Sequence, residues 1–244
     1  MLDVRGSSQR ERASAFTLLE LLVVMGIIAI LMVLVAPAFT SLKSAGDVTS
    51  AAYAIKGALD TARTYAKANN TYTWVGFFEE NVSSTTPGTA GIGRLVMSTV
   101  ASSDGTNVAS TSGTIAPTKL IQVGKLTKID NVHVATNLSV GSGASPGSTF
   151  DTRPAVGSTY CLGNTANSTT PFQYPVGSPY TFLKAVQFGP GGEARINNNG
   201  NSLQTAVEIG LEPTHGNVIP SSLPANVVAI QIGGVGADVI VYRK

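Results

Sequence analysis

Charged side chains are scarce in this 244-residue chain: Asp, Glu, Lys and Arg make up 12% of it, about half the share in an ordinary globular protein. The net charge is +2 and no basic cluster lies outside the N-terminus, so nucleic-acid binding is not indicated. A single cysteine, Cys161, rules out a disulfide within the chain. It leaves two readings, a buried thiol acting as a small hydrophobe or a bridge to another chain. Histidine is nearly absent too. His133 and His215 have no carboxylate or cysteine at metal-ligand spacing, so no metal and no cofactor is expected.

Catalytic patterns are equally thin. No Gly-x-Ser-x-Gly elbow occurs, and the runs GPGGEAR (189–195) and GGVGAD (233–238) lack the Lys-Ser/Thr of a phosphate loop, so they read as hairpin turns. Glu79 and Glu80 are adjacent, and in a strand they face opposite sides, which suits no acid/base pair. His133 alternates with Val132 and Val134 and reads as the outward member of a strand, while His215 sits in a turn. No catalytic residue is assigned, and an enzyme is not expected.

What the chain does have is a long apolar run. From Phe16 to Ala36 every residue is apolar or glycine except Thr17 and Glu20. These 21 residues would form about 31 Å of helix, enough to cross a bilayer. The slightly basic flank before the run should stay on the cytoplasmic side, which sends the rest of the chain across. A charge at the centre of such a helix costs about 3 kcal/mol, somewhat less near an end. Two plain readings, a membrane anchor and a secretory signal cut at Ala36-Pro37-Ala38, both leave Glu20 unexplained.

A third reading explains it. The stretch Ala15-Phe16-Thr17-Leu18-Leu19-Glu20-Leu21-Leu22-Val23-Val24 resembles the N-terminal signal of type IV pilins and type II secretion pseudopilins. The resemblance implies that a prepilin peptidase cuts between Ala15 and Phe16, with N-methylation of the new Phe16 amine. Ala15 stands where the family usually has glycine. Residues 1–15 would be the leader and 16–37 a retained transmembrane and assembly helix, with Pro37 where the family's helix often kinks. Glu20 would meet the N-terminal amine of a neighbouring subunit. An unpaired carboxylate near the membrane is costly, and docking relieves it, so the charge acts as a registry device.

Beyond Pro37, Ile55, Leu59, Ala62 and Ala66 form one apolar helical stripe, with Lys56, Asp60, Arg63 and Lys67 repeating the spacing as a solvated face. Asn69-Asn70 is a stop signal, so residues 38–69 read as the amphipathic continuation of the helix. Residues 70–244 read as a β-rich globular domain. Its expected strands are 72–78, 92–100, 119–123, 131–135, 203–211, 227–232 and 238–242, with a hairpin of 181–188 and 193–196 about the turn 189–192. The stretch 137–180, rich in Gly, Ser, Thr and Pro, reads as a long surface excursion with little regular structure.

The fold class expected is α+β and pilin-like: a long N-terminal helix, its first half in the membrane, packed on an antiparallel β-sheet domain. The helix-to-strand junction 58–77 with Ala62-Arg63, the hairpin 186–195 and the terminal strand 238–243 resemble those of H-type minor pseudopilins. What this implies is a structural subunit of a type II secretion pseudopilus or type IV pilus-like fibre. Its partners would be other pilin or pseudopilin subunits, the prepilin peptidase and an inner-membrane assembly platform. It would sit in the inner membrane as a single-pass protein with its domain in the periplasm. Asp238 has no acidic neighbours, so the calcium loop of some major pseudopilins is not carried over. The alternative is a membrane-anchored or secreted β-rich domain binding a ligand such as a glycan, with no fibre role and with its site in 137–180.

Overall fold

The computed structural model describes residues 17–108, 114–136, 138, 147–164, 171–196 and 203–244, with backbone alone at 34–45. The chain divides into two compact units, Met1–Leu42 and Lys43–Lys244. Helix α1 (Leu18–Ala68) begins in the first unit and ends in the second.

In the first unit α1 starts with a reciprocal capping box. The Thr17 backbone N–H donates to Glu20 Oε2 at 2.8 Å, and the Glu20 N–H donates back to Thr17 Oγ1 at 3.2 Å. The helical backbone continues through Pro37.

In the second unit α1 is amphipathic in the expected way: Ile55, Leu59, Ala62 and Ala66 are fully buried, with Val48, Ala51 and Ala52 extending the stripe. Asn70 ends the helix at φ 47°, letting the Thr71 N–H reach back to the Ala66 carbonyl at 3.0 Å. Asparagine tolerates this left-handed conformation at a helix C-terminus, which is why Asn69-Asn70 works as a stop.

Two antiparallel sheets meet the helix. The first orders β3 (Leu120–Asp130), β2 (Gly93–Ser102), β1 (Thr73–Asn81), β7 (Lys184–Phe188) and β8 (Ala194–Ile196) side by side. The second orders β11 (Val239–Arg243), β10 (Val228–Gly233), β9 (Ala206–Pro213) and β4 (Val132–Ala135). β5 (Phe172–Gln173) and β6 (Thr181–Phe182) form a separate two-stranded ribbon. Strand alternation sorts the side chains. Val75 and Phe77 from the first sheet, and Val207, Ile209, Leu211, Ile230 and Ile232 from the second, join the helix stripe in one core.

The outer face of each sheet is covered as well. Trp74, Val96 and Val100 lie under Phe172, Tyr180 and Phe182. Strand β1 has glycine at 76 because the ribbon rests on it: a Cβ there would lie 2.5 Å from Phe172 Cζ. Over the second sheet, Leu138 and Phe150 pack against Ala135, Ala229 and Tyr242.

These contacts correct the reading of 137–180. Regular structure is sparse there, as expected, but Leu138, Phe150, Arg153, Leu162, Phe172 and Tyr180 are buried. The few large side chains in a small polar background roof both sheets, and composition averages them away. The third strand runs to Asp130 rather than ending at 123. As an edge strand it keeps polar residues on its open side, so no hydrophobic run announces it. The expected strand 181–188 is split at Leu183 between the ribbon and the first sheet.

Candidate functional site

The apolar half of α1 inverts the usual rule of burial. From Leu18 (81% exposed) to Val33 (74%), even the most covered large side chain, Ile28, is 42% exposed. No helix among the described residues is long and apolar enough to cross a membrane. Side chains are described for 17 residues of the apolar run, 17–33, about 26 Å of helix against a hydrocarbon core of about 30 Å. The remainder of the 21-residue run lies outside them.

At the start of this segment Glu20 is exposed and already oriented. Its Oε2 accepts from the Thr17 backbone N–H and from Thr17 Oγ1 at 2.9 Å, whereas Oε1 takes no hydrogen bond among the described residues. The carboxylate is thus held by one oxygen and presents the other. Ala15 and Phe16 lie outside the described residues, as does the side chain of Pro37.

In the second unit every conspicuous carboxylate is engaged. Glu79 and Glu80 do face opposite sides. Glu79 reaches from the first sheet to the edge of the second, where it takes the Val134 N–H at 3.0 Å and the ring Nδ1 of His133, with Lys184 Nζ at 3.1 Å. It caps an open strand edge in place of another strand. Burial pushes its pKa up, but the His133 hydrogen bond, the Lys184 charge and the Val134 N–H outweigh this and hold it below the ordinary carboxylate value. His133 is therefore no outward surface residue: alternation gives its side of the strand, but not the acid waiting across the sheet junction.

Glu80, on the other side, accepts from the Gly88 N–H (2.9 Å), Tyr180 Oη (3.0 Å) and Arg94 Nη1 (3.2 Å). Burial raises its pKa and these bonds more than offset it. Burial also pushes the Cys161 thiol up to about 11, with neighbouring Glu208 adding to the shift. A thiol so protonated is a poor nucleophile at neutral pH, in line with the buried-thiol reading. His215 lies in an exposed turn, bridged to Val218.

The charged row on α1 is only partly a solvated face. Lys56 and Asp60 pair at 3.3 Å as expected. Lys56 Nζ, however, donates to the Val239 carbonyl at 2.8 Å, and Arg63 pairs with Asp238 at 3.5 Å. Arg243 Nη2 donates to Thr49 Oγ1 at 2.6 Å. The helix is thereby pinned to the terminal strand. Ala62, beside Arg63, is fully buried, and its carbonyl accepts the Thr73 hydroxyl at 3.0 Å.

Sequence reasoning missed the most buried charge among the described residues. Arg153, 1% exposed, meets Glu208, 2% exposed, at 2.9 Å and 3.0 Å. One cue was available: Glu208 interrupts an apolar strand between Val207 and Ile209, and a carboxylate there calls for a cation above it. No group of three or more His, Cys, Asp or Glu able to hold a metal occurs among the described residues.

Residues 10–36 match the family model of the prokaryotic N-terminal methylation motif. No curated protein and no solved structure matches the chain. The matched stretch contains Thr17, Glu20 and the exposed apolar helix, and it supports a place in the type IV pilin-like family. The motif marks the chain as a prepilin-type substrate for peptidase processing. A signal of this kind implies a membrane-anchored, exported protein and suggests a structural subunit.

Proposed function

We propose that the chain is a structural subunit of a type II secretion pseudopilus or type IV pilus-like fibre, and within that class a minor pseudopilin. Prepilin peptidase cuts between Ala15 and Phe16, and the new Phe16 amine is methylated. The helix from Phe16 to Pro37 then holds the subunit in the inner membrane, with the β-domain in the periplasm, until an assembly platform passes it into the fibre. The observation that carries this reading is an exposed apolar helix with an oriented carboxylate in its first turn, inside a methylation motif.

Glu20 is the pairing residue. Thr17 fixes one carboxylate oxygen, and the other is directed to the N-terminal amine of a neighbouring subunit. Opposite charges attract strongly where water is scarce, and each alone is costly there. The competing reading, an anchored or secreted ligand- or glycan-binding domain, placed its site in 137–180. Leu138, Phe150, Arg153, Leu162, Phe172 and Tyr180 of that stretch are buried, and the reading has no specific observation in its favour.

The test is removal of the prepilin peptidase from the producing cell. The expected result is full-length chain retained in the membrane and absent from fibres. Location and fibre content unchanged without the peptidase would contradict the proposal.

A further inference from the structure

Residues 147–157 lie over the outer face of the second sheet, held there by the polar contacts of Arg153 and the apolar packing of Phe150. Arg153 Nε donates to Glu208 Oε2 at 2.9 Å, and Nη2 to Glu208 Oε1 at 3.0 Å. The other donors turn back to the stretch itself and its approach, Nη1 to the Phe150 carbonyl at 2.7 Å and Nη2 to the Leu138 carbonyl. The guanidinium also stacks on the Phe150 ring, 4.4 Å from its centroid. Gln231 completes the arrangement, donating to Glu208 Oε2 at 2.8 Å and to the Pro154 carbonyl at 2.7 Å.

Each side contributes what the other needs. Glu208 and Gln231 belong to the sheet, Arg153 and the accepting carbonyls to the covering stretch. Beyond Gly157 the chain is held differently. Leu162 is fully buried in the main core, and Gly163 lies so close to β4 that a Cβ would sit 1.9 Å from the Ala135 carbonyl oxygen. Phe150 of the stretch packs with Ala135, Leu138, Val227, Ala229 and Tyr242 in a cluster of its own, separate from the helix-and-sheet core.

A buried ion pair adds little to stability over an apolar pair of the same shape, but losing one partner strands a charge in low dielectric. A half-docked stretch would therefore bury an unpaired Arg153 or Glu208. Two arrangements avoid this: fully docked with the charges paired, or lifted with both hydrated. We propose that residues 147–157 form a strap that docks in an all-or-none manner through Arg153 and Glu208, and that its release uncovers Cys161 while the main core stays folded. Cys161 is 2% exposed, its backbone bridges to that of Glu208, and its Sγ faces the carbonyl of Gly157, the last residue of the strap, at 3.8 Å.

The chain's single cysteine is a built-in reporter. Full-length protein in detergent micelles is treated with a small maleimide, and hydrogen exchange of the β1 and β2 amides is followed in parallel. Wild-type protein is expected to label slowly. Arg153→Ala should label about a hundredfold faster, the consequence of a broken buried pair, with β1 and β2 exchange unchanged. Glu208→Gln keeps the shape and removes the charge, and it should open the strap to a similar degree. Unchanged labelling in both variants would overturn the proposal. So would labelling and β1/β2 exchange rising together in both, because the stretch would then open only with the whole domain.

Discussion

The two halves of α1 share a helical backbone and a high apolar content, yet they treat their side chains in opposite ways. In the second unit Ile55, Leu59, Ala62 and Ala66 are wholly buried under two sheets. In the first, the run from Leu18 to Val33 is exposed along its length and carries one carboxylate. The difference lies in periodicity rather than hydrophobicity. A helix apolar on one stripe has found its partner within the chain, whereas one apolar all round needs an environment from outside it. The first half is apolar all round and exposed from Leu18 to Val33, and the methylation motif falls on that half.

The comparison is broken most forcefully by placing the same charge in each half. Leu59→Asp should destabilise the domain by about 5 kcal/mol, from lost packing and a buried carboxylate, read as loss of the near-ultraviolet circular dichroism of Trp74. Ile27→Asp should leave that signal and the melting temperature unchanged, while membrane insertion weakens by about 3 kcal/mol. Equal effects in the two assays would erase the distinction.

A smaller effect is expected at the sheet junction. Glu79→Ala strips the partner from His133, Lys184 and the Val134 N–H, and should cost about 2 kcal/mol in chemical denaturation. The pH dependence has a definite sign. A carboxylate whose folded pKa lies below its unfolded value stabilises the fold above the unfolded value, ordinarily about 4.3. That contribution is lost as pH falls through the folded pKa. Stability of the wild type should therefore drop in acid below about pH 4.5, and Glu79→Gln should flatten part of the drop. A slope identical in both proteins would remove Glu79 from the account.

The smallest effect on the fold is expected at Glu20. Glu20→Ala should leave domain melting unchanged and membrane insertion intact or improved, while incorporation into fibres falls. Normal incorporation of this variant would refute the pairing role.

Much of the architecture was legible because it repeats. The stripe at Ile55, Leu59, Ala62 and Ala66, the alternation through β9 and β10, and the turn 189–192 between β7 and β8 all follow local rules. What escaped depends on distance. The strap at 147–157 is tied down by an arginine and a glutamate 55 residues apart, and no local pattern joins them. His133 shows its face of the strand but not Glu79, 54 residues away. β3 hid because an edge strand has no need of an apolar outer row. The N-terminal apolar segment was the most legible element, since a carboxylate in an apolar run stands out in the sequence itself.

The central claim is settled most directly by the mass of the mature N-terminus. Protein isolated from the membrane or fibre fraction of its own host, digested and analysed by mass spectrometry, should begin with N-methyl-Phe16. A chain beginning at Met1, or at Phe39 after cleavage beyond the apolar run, would contradict it.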